Sequence, residues 1–171
     1  MAQFLLRGTT LLLLLASLSA ACATSGAVPS PFPRPGASGR APTVIVDPTT
    51  SPVPVVSTAL SFQGVPYRNG GADPAGFDCS GLVAYVFAQH GLFLPRTAAE
   101  QFGLGRRVSR GAVEPGDLVF FTTIAPGPSH VGIVISPGEF VHAPSSSGVV
   151  RVEPLGASYW ASRFLGARRL F

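Results

Sequence analysis

The chain contains no lysine. All twelve basic residues among its 171 are arginine, set against eight acids for a net charge of +4. Eight of the arginines are scattered from Arg96 to Arg169, with no dense basic run and no interleaved aromatics. That excludes a recognisable nucleic-acid footprint, and an excess of this size serves solubility. Internal repeats are also missing. Cysteine is scarce, with only Cys22 and Cys79. No apolar run approaches the roughly 20 residues that span a bilayer. A length of 171 residues with 46% hydrophobic content suits one compact domain.

The N-terminus departs from that domain. Arg7 precedes "GTTLLLLLASLSAAC", an apolar stretch closed by small residues, which reads as a secretory signal over residues 1–21. Cys22 stands at the cleavage point, and the segment resembles a bacterial lipoprotein signal in which this cysteine is acylated. Ser19 occupies the position where such signals usually carry leucine, and "SAA" also satisfies ordinary signal cleavage. With Ala23 and not Asp after the cysteine, the expected address is the periplasmic side of the outer membrane. A secreted protein meets an oxidising compartment, where two free thiols tend to pair. If Cys22 is acylated, Cys79 remains as a lone thiol.

Residues 22–54 hold eight of the 17 prolines and read as a disordered, polyproline-like linker. At about 3.1 Å per residue it reaches on the order of 100 Å. From residue 55 the composition changes. "VVSTALSFQ" predicts a helix, and "GVPYRNGGADPAG" a loop. Leu82, Val83, Val86 and Phe87 form a helical stripe that follows Cys79, closed by His90 and Gly91. There His90 is expected to cap helix carbonyls. Thr97 and Glu100 form a capping box before another short helix. The second half reads as strands: "GDLVFFTT", "HVGIVIS", "EFVHA", "GVVRVE" and "FLGARRLF". Asp117 is expected to stabilise the turn before the first of them. The expected class is α+β, with N-terminal helices packed on a C-terminal antiparallel sheet.

Cys79 sits at a predicted helix start, where peptide dipoles and free N–H groups lower a thiol pKa. His130 and His142 lie on successive strands. A thiolate needs an imidazole partner, and that imidazole needs a third group to fix its tautomer. The residues alone leave two readings open. A helix-start cysteine above an apolar stripe is also a common core residue.

Seven stretches in one order bear on the choice: "GVPYRNGG", "FDCSGLV", "LPRTAAEQ", "PGDLVFF", "HVGIVI", "FVHAPSSSGVV" and "YWASRFLGARR". Together they resemble the NlpC-type bacterial cell-wall cysteine peptidases, in the branch of murein endopeptidase lipoproteins. The resemblance covers residues 55–171 and implies a papain-like fold. It implies Cys79 as nucleophile, His130 as general base and His142 as its orienting residue. Tyr67 matches a tyrosine that holds the oxyanion or substrate, and Asp78 with Ser80 a pair that contacts the amine end of a stem peptide. Asp78 also suits a helix cap, and in either role its carboxylate is expected to point away from the sulfur. Arg96 suits a stem carboxylate or a structural ion pair. Asn69 departs from the bulkier residue common at its position.

The implied activity is hydrolysis of amide bonds in peptidoglycan stem peptides or cross-bridges, commonly beside diaminopimelate, through an acyl-enzyme. The implied protein is a monomer that needs no cofactor or metal, held to a membrane through Cys22. Two alternatives share the scaffold: a non-catalytic murein-binding lipoprotein, and an amidase or acyltransferase. One geometric constraint is independent of the resemblance. A tight turn at Pro137–Gly138 pairs Ser136 with Glu139, and that register puts His130 and His142 on opposite faces. A working pair therefore requires an irregularity within residues 134–140.

Overall fold

The computed structural model describes residues 51–145 and 148–171. The expected signal segment, the Cys22 anchor and the body of the linker lie outside the described residues. Helix α1 spans Pro52–Ser61, with the Ser51 side chain accepting from the Val53 N–H. It starts three residues earlier than expected, so Pro52, Val53 and Pro54 belong to the domain and not to the linker. Prolines suit a first helical turn, where an N–H has no partner anyway. Strands β1 (Ala72–Asp73) and β2 (Gly76–Phe77) form a small hairpin that leads into α2, Cys79–Ala88. Helix α3, Ala98–Phe102, opens on the expected capping box between Thr97 and Glu100.

Six further strands follow: β3 (Arg106–Val108), β4 (Leu118–Phe121), β5 (His130–Ser136), β6 (Glu139–His142), β7 (Arg151–Pro154) and β8 (Phe164–Arg169). A one-turn helix α4, Ser158–Ala161, precedes β8. The sheet order is β3-β8-β4-β5-β6-β7, antiparallel at every pairing. The α+β class read from the sequence is the one observed. Strand β3 and helix α4 were not anticipated, because three or four residues are too few to show a period.

Alternation along the strands divides the core in two. Leu118, Phe120, Val131, Ile133 and Val141 face α1 and α2, where Val55, Leu82, Val83, Val86 and Phe87 meet them. Each of those helix side chains is fully buried, which stabilises by about 1.5–3 kcal/mol per large apolar group. Packing therefore sets the height of α2, and with it the position of Cys79. His90 does not cap carbonyls as expected: its Nε2 lies 3.0 Å from Thr58 Oγ1 and joins the end of α2 to α1. On the opposite face Val119, Phe121, Val134, Phe140 and Ala167 pack under Trp160. Asp117 stabilises its turn through the Glu114 N–H, and also receives a two-pronged bond from Arg169 at 2.6 and 2.7 Å.

The β5–β6 hairpin carries the predicted irregularity. Ser136 pairs with Glu139, yet Val134 pairs with Phe140 and Ile133 with Val141. Ile135 is the extra residue. The bulge shifts the register by one and brings His142 across from Gly132, on the same face as His130. Gly132 is needed there: a Cβ on it would stand 2.5 Å from Phe140 Cδ2 and 3.2 Å from His142 Cβ. Gly132→Ala should cost about 1–3 kcal/mol in a urea melt by overpacking this contact. A variant as stable as wild type would show that His142 is not held at van der Waals contact.

Candidate functional site

Cys79 is the first residue of α2, and Asp78 is its N-cap. Asp78 Oδ1 accepts from the Gly81 N–H at 2.7 Å. A Cβ on Gly81 would meet the Gly71 carbonyl at 2.0 Å, so only glycine lets this turn lie against the 68–71 loop. The remaining charge of Asp78 is taken by Arg96, whose Nη atoms lie 2.9 and 2.5 Å from its two oxygens. Arg96 also donates to Ser80 Oγ at 3.0 Å and to the Gly71 carbonyl at 3.3 Å. Of the two uses open to Asp78, the cap is present, and Arg96 makes the structural ion pair. Gln101, fully buried on α3, fastens this corner by donating to the carbonyls of Ser80 and Pro95.

Cys79 is a free, partly buried thiol. Backbone N–H groups of Val131, Ser80 and Cys79 itself favour its thiolate, and the helix start thus acts in the expected direction. Burial outweighs them, with the Asp78 charge adding to it, and the thiol pKa is raised above its usual 9.0. The expectation of a lowered pKa is thereby corrected: desolvation is the larger effect in the resting protein. The Val131 N–H matters for position too. It sets the sulfur at the start of β5, beside the residue that carries the imidazole.

His130 pairs with Phe121 at that start. Its Nε2 lies 2.8 Å from His142 Nδ1. The Trp160 ring stacks on His130 at 5.2 Å and 23°, and meets His142 edge-on at 4.9 Å. Burial, with a smaller contribution from His142, pushes the His130 pKa down to about 3. Burial also lowers His142, against the opposing pull of Glu153. Both imidazoles are therefore neutral at neutral pH, with a single proton in the bond between them.

Glu153 was missed in the sequence. It lies on β7, which pairs with β6 so that Phe140 opposes Glu153 and His142 opposes Arg151. Glu153 Oε1 stands 3.6 Å from His142 Nε2, beyond hydrogen-bond length, so it acts on that nitrogen chiefly as a charge. His142 Nε2 has no hydrogen-bond partner among the described residues. The carboxylate favours the proton on that Nε2. His142 Nδ1 then accepts from His130 Nε2–H, which leaves the His130 Nδ1 lone pair free. Arg151 Nε and Trp160 Nε1 both donate to Glu153 and hold it in place. The alternation in "VRVE" was the available signal, but the β6–β7 register was needed to use it.

A cleft of about 520 Å³ opens over the thiol, lined by Cys79, Tyr67, Asn69, Asp78, Ser80 and Arg96 among others. Tyr67 reaches it from a bridge to Phe77, and its hydroxyl pKa is raised by burial and by the nearby Cys79 and Asp78. The cleft thus gathers the site residues expected on α2 and the 64–71 loop together with Arg96, while His130 and His142 stand beside it on β5 and β6, joined to the thiol through the Val131 N–H. Cys22 lies outside the described residues. No cluster of three metal-ligating side chains occurs among the described residues.

These features agree with comparison to known proteins. The NlpC/P60 family model matches residues 64–169, and the chain belongs to that family. It is 46% identical over 129 residues to a gamma-DL-glutamyl hydrolase of Bacillus subtilis, covering 74% of this chain and 31% of the relative. It is 43% identical over 117 residues to the murein DD-endopeptidase MepS/murein LD-carboxypeptidase of Escherichia coli, covering 68% and 61%. The chain thus matches about a third to three-fifths of the length of these relatives. Among solved structures, the NlpC/p60 domain of the peptidoglycan hydrolase SagA superposes with a TM-score of 0.64 at 31% identity, over 71% of this chain and all of that one. An NlpC/P60 family protein from Bacillus cereus gives 0.66 at 32%, over 71% and 41%.

Two measurements test the electrostatics. Because the thiol pKa is raised, iodoacetamide should alkylate Cys79 slowly at pH 7, with a rate still climbing above pH 9. A plateau reached below pH 7 would show a preformed thiolate. For the imidazoles, the unfolded chain binds protons near pH 6.5, while folded His130 binds one only near 3. Between those values the unfolded state holds more protons, so acidification favours unfolding. Stability in urea should fall between pH 6.5 and 5, approaching about 1.4 kcal/mol per pH unit for each buried imidazole. His130→Phe should flatten the slope, and a wild-type profile already flat there contradicts the buried neutral pair.

Proposed function

We propose that this chain is a peptidoglycan endopeptidase that hydrolyses stem-peptide or cross-bridge amides through a Cys79 thioester. The observation that carries the reading is the His130–His142 bond, which occupies Nε2 and leaves Nδ1 as the base for a thiol at the start of β5. Family membership supports it, as do relatives named murein DD-endopeptidase and gamma-DL-glutamyl hydrolase.

In the first half-reaction His130 Nδ1 takes the thiol proton as the sulfur attacks the amide carbon. The Cys79 N–H, one of the free donors of a helix start, and the Tyr67 hydroxyl receive the oxyanion. The C–N bond then breaks, and the leaving amine takes the proton from His130. In the second half-reaction water attacks the thioester while His130 removes its proton. The C–S bond breaks, the sulfur regains that proton, and a carboxylic acid departs. His142 and Glu153 take no proton from substrate; they hold the tautomer that keeps Nδ1 basic. Asp78, Ser80 and Arg96 line the acyl side and contact the stem there. The proposed setting is the periplasmic face of the outer membrane, reached through acylation of Cys22, and the N-terminal sequence is its support.

Digestion of purified sacculi, with product masses read out, tests the activity. Wild type should release muropeptides, and Cys79→Ala should lower the rate by about 10³-fold or more. Identical products at similar rates from both proteins would remove Cys79 from the chemistry. The masses identify the bond that is cut.

A further inference from the structure

A second cleft, of about 250 Å³, lies against His130. It is walled by the imidazole itself, Trp160, Tyr159, Thr123, Arg151 and Glu153. Cys79 does not line it, and His130 does not line the larger cleft. Acyl transfer sorts the two. The acyl half of the substrate stays bonded to sulfur, so it occupies the cleft lined by Cys79. The amine half departs with the proton that His130 delivers, and the cleft walled by His130 is where that half sits.

The side chains of this cleft narrow what it holds. Glu153 already accepts from Arg151 and Trp160 and faces His142, so its charge is spoken for. Arg151 is half exposed and, among the described residues, meets Glu153 through Nε. Among the described residues, the two-nitrogen edge of its guanidinium has no acceptor. That edge matches a carboxylate in a two-pronged bond, which an ammonium or a neutral amide cannot reproduce. Tyr159 and Trp160 meet edge-to-face at 4.8 Å and supply an aromatic wall.

We propose that this cleft is the leaving-group subsite, and that Arg151 selects an amine-side residue bearing a free carboxylate next to the scissile nitrogen. The proposal rests on the endopeptidase reading above. Its test compares two synthetic stem peptides, identical except that the leaving residue ends in a carboxylate or a carboxamide. Wild type should favour the carboxylate by about tenfold or more in kcat/KM. Arg151→Gln should bring the ratio within about threefold, and Arg151→Lys should lie between. Arg151 also holds Glu153, so both rates fall in the variants, and the ratio cancels that shared loss. Equal wild-type rates on the two peptides would overturn the subsite and leave the peptidase standing.

A binding arm separates the two claims if neither peptide is cut. Trp160 is the only tryptophan. Titrating Cys79→Ala with each free leaving fragment should change its fluorescence, at concentrations about tenfold lower for the carboxylate. Adding Arg151→Gln should erase the difference. Equal responses to the two fragments, or a difference that survives Arg151→Gln, would overturn the subsite whatever the sacculus digestion shows.

Discussion

The site depends on a 2.8 Å bond between His130 and His142, and that bond depends on one surplus residue in β5. Strand side chains alternate faces, so a one-residue change of register decides whether two rings meet or are separated by the sheet. The hairpin turn alone would separate them. The bulge at Ile135 restores the shared face, and Gly132 clears the space that His142 then occupies. Backbone geometry thus does what no side-chain choice at the two histidines could do.

The second consequence is electrostatic. Trp160, Phe121 and Phe140 pack around the two rings and keep both neutral, while burial against the helical-face core raises the Cys79 thiol. A thiol beside a neutral imidazole holds the same single proton as a thiolate–imidazolium pair, but without separated charge in a dry site. Charge would then develop only as the thiol attacks, when the N–H groups around the sulfur have something to stabilise. Asp78 still pushes the thiol pKa upward, and Arg96 pairs with both of its oxygens. Without the arginine, a carboxylate next to the nucleophile would hold the thiol proton more tightly.

Much of this was legible in the sequence. The apolar stripe from Leu82 to Phe87 predicted α2, and alternation in "HVGIVIS" gave β5 with its observed ends. Parity alone demanded the irregularity between His130 and His142. The rest needed three dimensions. Glu153 becomes visible only when β7 is registered against β6, which requires knowing how a loop of several residues closes. The thiol pKa went the opposite way because a dipole can be read from a helix start, whereas burial cannot. His90 illustrates the same limit: its partner, Thr58, lies 32 residues away in the chain.

The two faces of the sheet divide the proposed reaction between them. The nucleophile and the acyl-side residues belong to the helical face and the 64–71 loop, where Gly81 and Gly71 touch and little can change without a clash. The leaving-group side belongs to β7, which ends the sheet order and pairs on one side only. Arg151 is half exposed there, and its removal would leave no void in either core. Arg151 also holds Glu153 there, so the same strand serves the tautomer of His142. On this reading the bond-breaking groups are locked into the packed interior, and the choice of leaving group is carried by a strand at the edge of the sheet.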